Sequence, residues 1–279
     1  MTHPLIKEPA PASARLRGPR SSRLFRLSAG GRDRLIALLS PMLLLLAWEI
    51  VAHWAIIDTR FFPAPSSIFR TLLTLIASGT LWTHTWASLQ RLFWGFLLGG
   101  IPALIFGILM GLYRPLRAAI DPLIAATYPI PKSAILPLIL LIFGLGEASK
   151  IVMVAIGVFY PICINACSGV MEINTIYLDV GKNFQASRWQ VFRTIGLPGA
   201  LPFIMSGVKL GVGMGLILIA IAEMIGAKSG LGFMIWNAWE IMSVEEMYAG
   251  LIVIAAIGYL FSVLLNELER WMIPWKADR

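Results

Sequence analysis

The sequence predicts an all-α, polytopic membrane protein with about six transmembrane helices and an amphipathic helix on a cytoplasmic loop. Three observations carry this. Apolar residues make up 58% of the 279 and charged residues only 14%, against roughly 25% charged in soluble domains. Mean hydropathy is +0.77. Several apolar runs approach the ~20 residues that cross ~30 Å of hydrocarbon, with no sustained period of 2 or 3.6 that would mark a half-buried soluble element.

Residues 1–34 are rich in Arg, Ser and Pro, carry eight basic residues against Glu8 and Asp33, and lack apolar periodicity, which predicts a disordered basic cytoplasmic tail. The run over 35–57 is the first span. The basic stretch ahead of it is too long for the n-region of a cleaved leader, and Ala-His-Trp-Ala at 52–55 is a poor cleavage site. Trp48, His53 and Trp54 suit the outer interface. A periplasmic segment over 58–92 contains Phe-Phe-Pro-Ala-Pro-Ser-Ser, where Ser66 or Ser67 is placed to cap a short surface helix. The remaining core, 93–271, holds five spans at about 93–113, 123–145, 151–170, 203–225 and 248–268. Pro129, Pro131 and Pro137 must kink the third and free backbone carbonyls. Gly107 with Gly111, and Gly207, Gly211 and Gly215, are spaced four apart, which lets helices approach closely. The same glycines are no dinucleotide fingerprint, since they lie inside an apolar helix.

Basic residues fix the orientation. With the N terminus inside, sixteen Lys and Arg fall on the inner side and five (Arg60, Arg70, Arg91, Lys150 and Lys228) on the outer side, so both termini are cytoplasmic. The net charge of +8 is therefore a topology signal and not a nucleic-acid surface, because the basic residues do not interleave with aromatics on one face.

Several chemistries find no support. Cys163 and Cys167 share one helix face, but two sulfur ligands with no neighbouring His do not make a zinc site. Gly226-Ala-Lys-Ser has neither the spacing nor the strand of a nucleotide-binding loop, and His3, His53 and His84 are scattered, so no cofactor or catalytic constellation is assigned to this chain. Ionisable residues at membrane depth face a cavity or a partner. Glu223 has two readings, pairing with Lys228 or lining a translocation path. Lys132, among prolines, either attracts an anion or snorkels. Lys209 reaches toward headgroups, Glu147 and Lys150 border an outer turn as a surface or docking contact, and the loop with Trp236, Trp239, Glu240, Glu245 and Glu246 is either an interfacial helix or a protein contact.

The loop over 171–202 is the most informative stretch. Ser187 with Gln190 makes a capping box, so a helix starts at Ser187 and runs to about Ile195, with Pro198 behind its end. Trp189, Phe192 and Ile195 or Gly196 share one side. Taken alone, this amphipathic helix fits an interfacial helix as well as a docking element.

Here the chain resembles the type I permeases of ATP-binding-cassette importers, whose cytoplasmic loop carries E-A-A-x3-G-x9-I-x-L-P. Ile195, Leu197 and Pro198 match, whereas Asp179, Val180 and Gly181 stand for E-A-A and Gln185 for the Gly. Further stretches over about 61–271 resemble the nitrate, sulfonate and taurine branch: Phe-Phe-Pro-Ala-Pro-Ser (61–66), Pro-Lys-Ser-Ala-Ile-Leu-Pro-Leu (131–138), Phe-Gly-Leu-Gly-Glu-Ala-Ser-Lys (143–150), Leu-Pro-Gly-Ala-Leu-Pro (197–202), and Ala-Glu-Met (222–224) followed by Gly-Leu-Gly (230–232). The resemblance implies a homodimer or pseudo-dimer of permeases in the bilayer, cassette ATPase subunits that hydrolyse the ATP, and a periplasmic binding protein that delivers a small solute such as nitrate, a sulfonate or taurine. It places ATPase coupling on Asp179, Gly181, Lys182, Gln185, Ser187, Arg188, Trp189, Phe192, Arg193, Leu197 and Pro198. An ion-gradient-driven transporter or a membrane scaffold are the competing classes; neither needs an ATPase-docking loop. Gln in the place of the Gly disfavours a left-handed turn at 185 by about 1 kcal/mol or more, which predicts that the break between the two loop helices moves toward Ala186 and Ser187.

Overall fold

The computed structural model describes residues 29–275, all of whose regular elements are helical. In chain order these are α1 Ala29–His53, α2 Pro65–Ala77, α3 Thr80–Leu112, α4 Arg114–Thr127, a 3-10 turn Lys132–Ile135, α5 Leu136–Phe143, α6 Glu147–Met171, α7 Thr175–Asn183, α8 Arg188–Val191, a π-helical turn Phe192–Gly196, α9 Leu197–Met224, α10 Leu231–Glu240 and α11 Val244–Met272. Most of the basic tail lies outside the described residues. Helix α1 starts at Ala29, ahead of Leu35, because no proline separates 29–34 from the apolar run and an established helix propagates at one bond per residue.

The chain divides into two units at Ala47. The described part of the first is the earlier portion of α1, with Leu39 and Met42 through Leu46 exposed. In the second unit, α6 is the central helix. Gly95, Gly99, Ala103, Gly107 and Gly111 form a stripe along α3 that lies directly on α6: a Cβ at Gly99 would fall on the carbonyl of Ala155, and one at Gly107 would reach the carbonyl of Cys163 at 2.5 Å. The two helices run parallel, since 95 meets 151–154 and 111 meets 167–170. On its other side α6 meets α9 antiparallel, through Gly207 against Pro161 and Asn165 and Gly215 against Val154 and Val158. Leu92, Ala103, Met110, Val154, Val158, Ile162, Cys163 and Ile219 fill the space between them. Close backbone approach through small residues is how membrane helices associate where lipid supplies no hydrophobic drive. Cys163 and Cys167 are free thiols that pack beside the thioethers of Met110 and Met171. A second layer joins α2, the first turn of α3, α10 and α11 around Leu75, Leu81, Leu231, Met234 and Ala249.

Among the described residues, four helices are long and apolar enough to cross a membrane, and a bent pair of helices makes a fifth if it is counted as one span. The first predicted span, 35–57, falls within α1 up to His53, where the helix ends. The second span begins at Thr80 instead of 93, in what the sequence assigns to a surface segment; Arg91 ends the apolar window but not the helix, because its charge is met internally. The third span is not one kinked helix. Pro129 and Pro131 remove two backbone donors just after Tyr128, the last residue in helical conformation (φ −59°, ψ −43°), and the two halves are bent by 87°.

Two local expectations are corrected. Neither Ser66 nor Ser67 caps α2: Pro65 occupies its first turn and Ala64 its N-cap, and Glu49 of α1 accepts from the Ser66 N–H at 2.9 Å and the Ser66 hydroxyl at 2.7 Å. Lys209 is ion-paired to Glu269 of α11 instead of reaching away.

Candidate functional site

The loop between α6 and α9 is a pair of short helices packed on each other. Asn174 starts α7 by accepting the Ile176 N–H at 2.9 Å, an N-cap not read from the sequence. The helix ends in a left-handed residue, Gln185 (φ 53°), and the Ala186 N–H closes onto the carbonyl of Gly181 at 3.0 Å, the long bond of a Schellman end. The break therefore occupies 184–187 as expected, but Gln185 itself takes the left-handed conformation instead of passing it to Ala186; the Schellman bond and the adjoining cap offset its steric cost. The capping box forms: Gln190 Oε1 accepts from the Ser187 N–H at 2.7 Å, and the Gln190 N–H donates to Ser187 Oγ at 3.3 Å. Gln185→Gly is expected to raise the thermal midpoint by a few degrees at most, since it removes about 1 kcal/mol of steric cost. A lower midpoint would mean that the glutamine side chain holds the turn.

Gly181 is buried, and a Cβ there would meet Val191 at 3.1 Å and Ile195 at 3.4 Å, so the motif isoleucine packs against α7. Trp189 and Phe192 stack on one another with centroids 5.5 Å apart. Ile195 does not continue their side, because the π-helical turn over 192–196 adds a residue and rotates the helix beyond it. Nor does the helix end before Pro198. The Leu197 N–H bonds to the carbonyl of Phe192, Pro198 enters the first turn of α9, and 189–224 form one continuous helix. The outward face is aromatic, with Phe184 83%, Trp189 66% and Tyr177 62% exposed and Ile176 beside them. Asp179, Arg193 and Leu197 are also exposed; the side chains of Lys182 and Arg188 lie outside the described residues. The sequence reading missed Phe184 and Tyr177. Their signal is two further aromatics in the loop that already holds Trp189 and Phe192.

Glu223 belongs to a second cluster, and its partner is not Lys228. Its carboxylate is fully buried and accepts from Arg91 Nη1 at 2.8 Å, from the Ser88 hydroxyl at 2.7 Å and from the Gly232 N–H at 3.0 Å. Arg91 also binds Glu147 through Nε at 2.5 Å and Nη2 at 2.8 Å, and the Ser229 carbonyl at 2.7 Å. Ser88 Oγ in turn accepts the Leu231 N–H at 2.8 Å. One guanidinium thus clasps α3, the first turn of α6, the end of α9 and the turn into α10. Gly230 (φ 119°) and Gly232 are required there, because a Cβ at either would collide with the Glu223 carboxyl or the Ala220 carbonyl.

Two buried lysines hold the broken third span. Lys132 Nζ donates to the carbonyls of Thr127 (2.9 Å), Tyr128 (3.1 Å) and Ile130 (3.0 Å), and it lies 4.1 Å from the centroid of the Tyr160 ring. Lys150 Nζ donates to Leu145 at 2.8 Å and Gly146 at 2.9 Å, at the end of α5. Neither snorkels, and Lys150 is no surface contact. Carbonyls freed by the prolines and by a helix end supply the ligands. Near the clasp, Trp236 and Trp239 project from α10 with rings 4.8 Å apart, and Trp236 Nε1 donates to Glu240 at 3.0 Å.

The described residues thus form a bundle of apolar, membrane-spanning helices with a short helical hairpin in one interhelical loop. Residues 103–277 match the family described as binding-protein-dependent transport system inner membrane component, and the chain belongs to that family. It is 37% identical over 84% of its length to the taurine transport system permease protein TauC of Escherichia coli (strain K12), covering 87% of that protein. It is 32% identical over 86% of its length to the aliphatic sulfonates transport permease protein SsuC of Bacillus subtilis (strain 168), again covering 87%. Its fold is similar to that of a chain of the MetNI methionine ABC transporter solved in inward-facing conformations, with a TM-score of 0.51, 21% identity, and coverage of 67% of this chain and 93% of that one.

Proposed function

We propose that this chain is the membrane pore subunit of an ATP-driven importer for a small sulfonate-like anion, working as a pair of copies, with both termini and the 175–198 hairpin on the cytoplasmic side. A cassette ATPase docks on that hairpin and hydrolyses the ATP, a periplasmic binding protein delivers the solute at the opposite end, and this chain itself holds no cofactor. The substrate class follows the taurine and sulfonate names of the relatives. The exposed pair Phe184 and Trp189 carries the docking assignment: Trp189 stands on the helix continuous with α9, and Phe184 follows the end of α7, which is packed against that helix at Gly181. A rigid element with aromatic anchors is what a protein groove grips, whereas Gly181, Ile195 and Ser187 act by shaping it. Glu223, sealed among Ser88, Arg91 and Gly232, braces the bundle and does not touch solute.

The test is capture of the cassette ATPase by the tagged chain from mild detergent. Phe184→Ala with Trp189→Ala is expected to reduce capture and ATP-dependent uptake by about tenfold or more, the consequence of removing interface aromatics worth about 1.4 kcal/mol or more, at unchanged membrane content. Retained capture and uptake would overturn the assignment.

A further inference from the structure

The break at 128–131 lies halfway across the bundle. Tyr128 packs against Tyr160 with ring centroids 5.8 Å apart, Lys132 sits over the same ring, and Tyr160 is near the middle of the 25-residue α6. At that depth the backbone is irregular and open: Tyr128 is 54% and Ile130 43% exposed, and Pro129 and Pro131 are exposed beside them. Non-helical backbone at membrane depth is not found against lipid; it is tolerated where protein covers it or where it lines water. Beside it Lys132 is 7% exposed and has no carboxylate within ion-pair reach among the described residues, in contrast with Arg91, which has two. Its ammonium protons are met by carbonyls and a ring face, none of which is a counter-ion. Charge at membrane depth faces the bundle interior or a water-filled cavity and can pair with backbone carbonyls; with no counter-ion beside it, the positive potential of Lys132 extends to the open break at 128–131.

We infer that the 128–131 break is a water-facing wall of the solute path, with Lys132 set behind it as an uncompensated positive charge that favours an anion. This rests on the importer reading above and gives it an electrostatic basis independent of the relatives' names. All three protons of Lys132 are committed to carbonyls, so it does not bind the solute; it sets the potential at the wall formed by Tyr128, Pro129, Ile130 and Pro131.

Thiol labelling tests this in the full chain reconstituted with its ATPase, in a background where Cys163 and Cys167 are alanine. Ile130→Cys is compared with Ile105→Cys, which is exposed on α3 at the level of Pro161, since Gly107 meets Cys163 in the parallel pair. The probes are the anionic 2-sulfonatoethyl and the cationic trimethylammonioethyl methanethiosulfonates. A thiol facing apolar surroundings resists forming the reactive thiolate, so Ile130→Cys is expected to label at least about tenfold faster than Ile105→Cys. Its anionic-to-cationic rate ratio is expected to exceed that of a free thiol in solution by about tenfold, the lower end of what a focused field produces. Lys132→Arg should keep that ratio and Lys132→Met should bring it to the free-thiol value. Equal labelling at 130 and 105 overturns the proposal, because the break is then dry, whether under a second copy or lipid. Fast labelling with the free-thiol ratio also overturns it, because the wall then has no anion preference. Both outcomes are measured with Lys132 intact, so a misfolded Lys132→Met changes neither. Failed ATPase capture with labelling retained would sink the importer reading alone; uptake retained with no labelling would sink the wall alone.

Discussion

Replacing Arg91 with methionine is expected to lower the stability of the bundle by about 3–5 kcal/mol, the range for breaking a buried ion pair from one side. Almost all of the loss comes from Glu223. Glu147 is 64% exposed and can turn to water, whereas the Glu223 carboxylate is fully buried and would keep only Ser88 and the Gly232 N–H. The measurement is the thermal midpoint of the purified protein in detergent, beside the variant that pairs Arg91→Met with Glu223→Gln. Removing both charges leaves a neutral amide that still accepts the Ser88 and Gly232 hydrogen bonds, so the double variant should recover much of the loss. A double variant no more stable than Arg91→Met would show that the guanidinium's tie to Ser229 and Glu147, not charge balance, holds the four elements.

Gly99→Val is expected to have an effect of similar size for a steric reason. A Cβ at 99 falls on the Ala155 carbonyl, which is helix backbone and has no rotamer to yield, so α3 and α6 must separate along the whole stripe from Gly95 to Gly111. Overpacking typically costs about 1–3 kcal/mol and more where nothing can shift, and loss of folded protein from the membrane is the expected readout. Gly213→Ala is the control. A Cβ there meets nothing within 4 Å, so it should be neutral or stabilise α9 by up to about 1 kcal/mol through helix propensity. A Gly99→Val protein as abundant and heat-stable as the Gly213→Ala protein would refute the close approach.

The features legible in the sequence are local ones. The Ser187–Gln190 cap needs residues three apart, and it forms. Pro129 and Pro131 announce the break in the third span, though not its 87° angle. The i, i+4 rule finds Gly107 and Gly111; Gly95 and Gly99 have the same spacing inside the predicted 93–113 span, and their place on the same α6-facing stripe comes from the structure. Arg91 itself reads as an outer charge, since the carboxylates that neutralise it are 56 and 132 residues away. Glu223 is matched to Lys228 for the same reason: neighbours in sequence stand in for neighbours in space. The carbonyl ligands of Lys132 and Lys150 leave no trace in side-chain identity at all. In the loop between α6 and α9 the motif locates the turn correctly, while the π-helical turn and the unbroken run into α9 depend on hydrogen-bond register, which residue types do not specify.

That unbroken run has a mechanical corollary. Trp189 and Glu223 sit near opposite ends of a single 36-residue rod, about 54 Å long at 1.5 Å per residue. A rod transmits axial push and twist without needing a relay of loops. Its softest point is the π-helical turn at 192–196, next to the exposed Trp189, so compliance is concentrated at that end. The shaft beyond it is stiff all the way to the Arg91 clasp, and the far end answers to the near one as a single lever.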